Sequence, residues 1–247
     1  MSAQAAGGGG ASEFSARQAR SPLIVALDTD DPRRLADLAG AVGPHVGLLK
    51  VGLQAFTALG PAAVATARRH APVFCDLKLH DIPNTVAGAA AAAARMGIAM
   101  LTVHASGGPA MIAAACKAAP DTTILAVTVL TSLDDADLAG VGQPPVAEQV
   151  VWLAGMAAEA GAGGIVCAPG DVAAVRGVVG NALAVVVPGI RPDRPDHPLR
   201  PGDDDQRRVA DPRTALRAGA SHLVVGRPVT QAADPAATAA ALLAEIA

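Results

Sequence analysis

The chain has 247 residues, of which 51% are hydrophobic and 17% charged, a balance that suits a globular core and excludes general disorder. With only 2% aromatics and a net charge of −3, it lacks the stacking faces of a single-strand nucleic-acid binder, and no overall field draws DNA or an anionic membrane. Cys75, Cys116 and Cys167 are an odd number at wide spacing with no Cys-x-x-Cys, which argues against a disulfide framework or a Cys-based zinc site and for a reducing, cytoplasmic setting.

Residues 1–20 read as a tail outside the fold, either a natural disordered extension or an added linker. The Gly7–Gly10 run is flexible, and no apolar segment of a secretory signal is present. No run of ~18 strongly apolar residues follows, so no membrane span is expected. From Ser21 onward, residues 21–247 read as one catalytic domain. A short apolar run, often β-branched, is followed by a Gly, Pro, Asp or Asn signal and then an Ala-rich helical stretch. The predicted strands are Leu23–Leu27, Val46–Val51, Val73–Leu77, Ala99–Val103, Thr123–Leu130, Gly164–Cys167, Leu183–Val187 and His222–Val225. Between them lie predicted helices at Asp31–Val42, Pro61–His70, Thr85–Met96, Pro109–Ala118, Val146–Ala160, Asp171–Val179 and Pro212–Ala218, with a last one near Pro235–Ala247. Near-continuous apolar strands mark a parallel sheet buried on both faces. Eight alternations suggest a (β/α)₈ TIM barrel, with a doubly wound open sheet as the alternative. Neither a Gly-x-Gly-x-x-Gly after the first strand nor a phosphate-cradling Gly-x₄-Gly-Lys-[Ser/Thr] occurs.

In a barrel the active site lies at the C-terminal strand ends. Those ends carry Asp28, Lys50, Asp76 with Lys78, His104, Thr131 with Ser132, Gly189 with Arg191, and Gly226 with Arg227; His80 and Asp81 follow the third strand. Lysine is the informative residue. The chain has 16 Arg but only three Lys, and two of these, Lys50 and Lys78, fall at predicted strand ends. An ammonium can act as a compact charge and also give up a proton, which Arg cannot. Lys117 falls on a helix and reads as a solvated side chain. Asp76 and Lys78 are two apart on a strand and share a face. With Asp28, Lys50 and Asp81 they form an alternating row of carboxylates and ammoniums, each holding the next in its ionised form. A structural salt-bridge network and a Mg²⁺ site built on the three carboxylates are the competing readings.

The late chain suggests a phosphate site. Pro188-Gly-Ile-Arg191 and Val225-Gly-Arg227-Pro228 each supply a Gly for close backbone approach and an Arg to fork onto oxygens. Pro228 suits the first turn of a helix aimed at the anion. Residues 191–208 form a long Pro-, Arg- and Asp-rich loop whose five Arg and five Asp cancel, so it reads as a lid rather than a nucleic-acid patch. His104 reads as a structural histidine satisfied by backbone. His45, His70, His197 and His222 have no partners at metal-ligand spacing, and no nucleophile elbow is present.

These residues match a known family. Asp76-Leu-Lys78-Leu-His80-Asp81-Ile-Pro-Asn-Thr85 resembles the signature of the orotidine 5′-monophosphate decarboxylases. The likeness extends over residues 22–235, through Leu27-Asp28, Lys50-Val-Gly, Val103-His104-Ala-Ser-Gly-Gly, Val127-Thr-Val-Leu-Thr131-Ser, Pro188-Gly-Ile-Arg191, Asp205-Gln206-Arg207 and Val225-Gly-Arg227-Pro-Val-Thr. The resemblance implies a (β/α)₈ homodimer with shared active sites. It would convert orotidine 5′-monophosphate to uridine 5′-monophosphate, the last step of de novo pyrimidine synthesis, without metal or organic cofactor. By the same resemblance Lys78 would protonate C6, Asp76 would face the substrate carboxylate and hold Lys78, and Lys50 would link the ribose to the charge row. Asp81 and Thr85 would reach into the partner's site. Asp28 would bind a ribose hydroxyl and Thr131 the pyrimidine edge, while Gln206 (from the lid), Arg191, Gly226 and Arg227 would hold the phosphate. Two alternatives stay open. Mg²⁺-dependent sugar-phosphate decarboxylases and aldolases share the Asp-x-Lys-x-x-Asp but place a Glu where this chain has Lys50, a poor Mg²⁺ ligand; a non-catalytic phosphate-binding barrel would have no need of Lys78.

Overall fold

The computed structural model describes residues 21–191 and 208–246. The expected tail (residues 1–20) and most of the expected lid, with Gln206, lie outside the described residues. The strands are β1 Leu23–Ala26, β2 Leu48–Gly52, β3 Val73–Leu79, β4 Met100–His104, β5 Thr123–Val127, β6 Gly164–Val166, β7 Ala184–Val187 and β8 His222–Val225. Each pairs in parallel with the next, and β8 pairs with β1, so the sheet closes into a barrel and the open-sheet alternative is excluded. The helices are α1 Pro32–Val42, α2 Leu53–Leu59, α3 Pro61–Ala67, α4 Pro83–Arg95, α5 Pro109–Ala118, α6 Asp135–Gly140, α7 Val146–Glu159, α8 Val172–Val179, α9 Pro212–Arg217, α10 Arg227–Thr230 and α11 Pro235–Ile246. The chain is thus a (β/α)₈ TIM barrel.

Local chemistry explains where the elements start. Proline opens α1, α3, α4, α5, α9 and α11, where its missing N–H has no intrahelical partner to lose. The Asp31 side chain caps α1 by accepting from the Arg33 and Arg34 N–H groups, and Asp211 caps α9 through the Thr214 N–H. Alanine, the best helix former and the smallest apolar side chain, fills α4 and buries Ala90 and Ala93.

Burial separates two apolar layers. Ile24, Ala26, Leu48, Phe74, Met100, Leu125, Val186 and Val224 form one cluster inside the barrel. Their strand neighbours Leu23, Val25, Leu49, Val73, Leu101, Val185 and Val225 face the other way and pack under the helices. The alternation follows from the period-2 pleat.

Besides shifts of one or two residues at strand ends, such as β3 running to Leu79, the structure departs from the sequence reading in three places. The region expected to hold one helix at Pro61–His70 begins earlier and holds two, α2 and α3, broken at Gly60, whose φ of 59° ends α2 before Pro61 starts α3. Helix α6 was not expected; a reciprocal capping box between Asp134 and Asp137 nucleates it. Strand β5 stops at Val127 rather than Leu130, because Val129 and Leu130 leave the ladder to wall a pocket. Among the described residues no helix is long and apolar enough to cross a membrane.

Candidate active site

At the C-terminal mouth of the barrel lies a cavity of ≈ 640 Å³. Ala26, Phe74, Val186 and Val224 of the inner core form its floor. Asp28, Lys50, Asp76 and Lys78 line one side, Thr131 and Ser132 another, and Gly189, Arg191, Gly226 and Arg227 a third. The strand-end residues read from the sequence, other than His104 of β4, thus converge on one concave site of the size that holds a nucleotide-sized ligand.

Four charges form a chain there. Lys50 Nζ lies 3.4 Å from Asp28 Oδ1 and 3.3 Å from Asp76 Oδ2, and Lys78 Nζ lies 2.8 Å from Asp76 Oδ1. Lys50 and Asp76 are both buried, whereas the Asp28 side chain is half-exposed. Burial alone would pull the Lys50 ammonium toward neutrality, but the Asp76 and Asp28 carboxylates outweigh it and its pKa is raised. Burial would likewise push Asp76 up, but Lys50, Lys78 and hydrogen bonds from Lys78 and Thr102 hold its pKa below the usual value. Both groups are therefore charged at neutral pH, and the cavity presents an alternating field fixed before any ligand enters. Cys75, next to Asp76, is pushed up to about 12 by burial and by the Asp76 charge, so it is a protonated core thiol.

Simple alternation along β3 does not bring Asp76 and Lys78 together. Cys75 pairs with Leu101 and Leu79 with Val103, so three residues of β3 face one residue of β4. Within this bulge Lys78 has a φ of 49°, the one non-glycine residue with positive φ among those described. Side chains pay for this left-handed conformation, and such residues concentrate at functional sites. The bulge turns the ammonium back onto Asp76.

Not every candidate residue enters the cavity of its own chain. Asp81 and Thr85 do not line it: Asp81 is exposed and accepts a hydrogen bond from the Ile82 N–H at 2.7 Å, and Thr85 is exposed at the start of α4. Ile82 between them is an exposed apolar side chain. In place of the expected backbone partner, the half-buried His104 packs its ring beside His80, with centroids 5.6 Å apart. Helix α10, expected to aim a first turn at an anion, spans four residues only.

Other residues at the site went unread in the sequence. Gln54 and Gln231 line the cavity. Gly52 gives the Asp28–Lys50 pair its space: a Cβ there would sit 2.7 Å from Asp28 Oδ1 and 2.9 Å from Lys50 Nζ. Arg208 bonds Asp171 at 2.6 Å and the Leu130 carbonyl at 3.2 Å, tying the wall that carries Thr131 to the loop after β6. Thr102, a fully buried hydroxyl in an apolar strand, contacts Asp76. Its inward parity beside Met100 was the available signal.

Comparison with known proteins agrees with this geometry. Residues 21–242 match the model of the family described as Orotidine 5'-phosphate decarboxylase / HUMPS. The chain is 51% identical over 229 residues to the orotidine 5'-phosphate decarboxylase of Thermobifida fusca, covering 92% of this chain and 96% of that protein. It is 55% identical over 226 residues to the orotidine 5'-phosphate decarboxylase of Anaeromyxobacter sp. (strain K), covering 90% and 96%. The crystal structure of orotidine 5'-phosphate decarboxylase from Lactobacillus acidophilus superposes with a TM-score of 0.80 at 37% identity, covering 92% of this chain and 99% of that one. Barrel, charge row and sequence identity over nearly the whole length converge: this chain belongs to the orotidine 5'-phosphate decarboxylase family.

Proposed function

We infer that the chain decarboxylates orotidine 5′-phosphate to uridine 5′-phosphate, in pyrimidine biosynthesis, with Lys78 as proton donor. The observation that carries this reading is the row Asp28–Lys50–Asp76–Lys78 along one side of the cavity, with contacts of 3.4, 3.3 and 2.8 Å. In this reading the substrate carboxylate lies against Asp76. The C6–carboxylate bond breaks, CO₂ leaves, and the electron pair stays on C6. The Lys78 ammonium stabilises that pair and passes its proton to C6, and solvent restores the proton to Lys78. A donor already in place costs no reorganisation at the moment of reaction. Arg191 and Arg227, across the cavity, supply forked donors for the phosphate, and Gln206 would join them. Binding energy gained at the phosphate, far from C6, orders the charges at the reacting end. Asp28 and Lys50 meet the ribose, and Thr131 the edge of the base.

Chemistry of the donor set favours a reaction without a metal ion. The carboxylates that Mg²⁺ would need, Asp28 and Asp76, are already bridged by the Lys50 ammonium. A homodimer with shared sites accounts for Asp81 and Thr85, which lie on the surface beside the exposed Ile82 rather than in their own cavity. A cytoplasmic location fits the odd, unpaired cysteine set. The test is the ultraviolet absorbance change of orotidine 5′-phosphate on mixing with the protein before and after exhaustive EDTA treatment. Full activity in both supports the reading. Activity lost on chelation and restored by Mg²⁺ replaces it with the sugar-phosphate reading, and no turnover in either refutes it.

A further inference from the structure

We propose that Thr102 is a positioning residue for the decarboxylation: its one buried hydroxyl sets both the backbone of Lys78 and the carboxylate of Asp76. This rests on the decarboxylase reading and adds a residue to it.

The starting point is the break in the ladder between β3 and β4. Cys75 pairs with Leu101 and Leu79 with Val103, so Asp76, Leu77 and Lys78 all face Thr102. Three residues opposite one cannot satisfy the ladder with backbone groups alone. The Lys78 N–H, turned out of line by its φ of 49°, donates instead to Thr102 Oγ1 at 2.9 Å. The same hydroxyl donates its proton to Asp76 Oδ1 at 3.0 Å, and that oxygen also accepts from Lys78 Nζ at 2.8 Å. The contacts close a ring: Lys78 backbone, Thr102 hydroxyl, Asp76 carboxylate, Lys78 ammonium. A hydroxyl carries one proton to give and lone pairs to accept, so this one serves both directions.

Thr102 is suited to act as an anchor. It is fully buried. Its own backbone stays in register with Leu125 of β5, so β4 is fixed on the side away from the bulge. A left-handed non-glycine residue persists only where its surroundings over-determine it. Here the surroundings include a hydroxyl that no purely apolar strand residue could replace. Valine matches threonine in shape but can neither accept from the Lys78 N–H nor donate to Asp76; serine keeps the hydroxyl and loses only a methyl.

The test compares Thr102→Val and Thr102→Ser with the wild-type enzyme, reading kcat on orotidine 5′-phosphate and the Kd of uridine 5′-monophosphate. If the hydroxyl positions the reacting groups, Thr102→Val lowers kcat by about 10²-fold, the scale of an ångström-size misplacement. Because the loss falls on the transition state rather than on nucleotide binding, the Kd shifts by less than about 3-fold. Thr102→Ser recovers kcat to within about 3-fold of wild type on the same argument. Hydrogen exchange of the Lys78 amide in the wild-type protein adds a readout that needs no variant: slow exchange supports the bond to Thr102, and exchange at the unprotected rate overturns it. Should Thr102→Val not fold, that exchange rate and the kcat of Thr102→Ser decide. The proposal is overturned by a folded Thr102→Val with near-wild-type kcat, by a parallel loss of kcat and nucleotide binding, or by a folded Thr102→Ser as impaired as the valine variant. A wild-type protein that fails to turn over orotidine 5′-phosphate sinks the function itself, a result separate from any of these.

Discussion

Lys78 combines a chemical group with a strained backbone, and the two can be measured apart by comparing Lys78→Ala with Lys78→Gly. Both variants remove the ammonium and its 2.8 Å contact to Asp76, so the lost ion pair cancels between them. They differ at a φ of 49°, which glycine adopts freely and alanine does not. A left-handed L-residue costs ~1–2 kcal/mol. Alanine recovers ~0.4–1 kcal/mol of that by having the less flexible unfolded chain. The glycine variant is therefore expected to be more stable than the alanine variant by about 1 kcal/mol, or ~2–4 °C in Tm for a domain of this size. Activity should move together. Losing the general acid costs ~10²–10⁴ in rate, and losing a preorganised charge adds a further ~10²–10³. Both variants should thus fall by at least ~10⁴ in kcat. Differential scanning fluorimetry and the absorbance assay measure the two quantities. An alanine variant as stable as the glycine variant would refute backbone strain at position 78, and either variant retaining a tenth of wild-type kcat would remove Lys78 from the chemistry.

Further outcomes follow from the same geometry. Gly52 has a φ of −91°, which any residue accepts, so Gly52→Ala should fold; its new Cβ would lie within 3 Å of Asp28 Oδ1 and Lys50 Nζ, and kcat/KM should fall by ~10-fold or more as the pair is displaced. Unchanged kinetics would mean the pair can yield without consequence. Asp76 has a depressed pKa, so its contribution to stability is full above its unfolded value of 3.8 and is lost as pH falls through the lower folded value; Lys50 has a raised pKa, so its contribution is full below 10.5 and is lost as pH rises through the higher folded value. Urea midpoints should therefore hold level across neutral pH as far as these two groups are concerned, and the acid loss should shrink in Asp76→Asn; an equal acid loss in that variant would show the destabilisation to arise elsewhere. For the proposed shared sites, Lys78→Ala and Asp81→Ala chains, each nearly inactive alone, should complement on mixing. Random exchange makes half the dimers mixed with one intact site each, so roughly a quarter of wild-type sites should return. No recovery despite confirmed subunit exchange would place Asp81 in the site of its own chain.

The alternation of strands and helices and the candidate charged strand ends were legible in the sequence, whereas closure of the sheet into a barrel was established by the pairing of β8 with β1. Eight apolar runs alternating with Ala-rich segments specify strands buried on both faces with helices outside them, because hydrophobic period and turn chemistry are local properties. Two of three lysines at strand ends singled out Lys50 and Lys78, and Gly-Ile-Arg191 and Gly-Arg227 marked another wall of the same cavity. The cross-subunit roles of Asp81 and Thr85 and the phosphate role of Gln206 came from resemblance; the place in the charge row that the strand pattern gave Asp81 is not taken up within its own chain, where the row ends at Lys78 and Asp81 is exposed. What the tertiary structure decided is how the charges meet. A period-2 strand predicts that Asp76 and Lys78 share a face, but their 2.8 Å contact is made through a bulge whose extra residues are counted only against β4. Thr102 in Met-Leu-Thr-Val-His reads as one polar residue in an apolar strand until β3 is laid beside it. Gly52 has no legible role in the sequence until Asp28 and Lys50 are seen to occupy the space its missing Cβ leaves. Register and close approach depend on the neighbouring strand, and strands that touch in the barrel lie some twenty residues or more apart in the chain, beyond the reach of any local pattern.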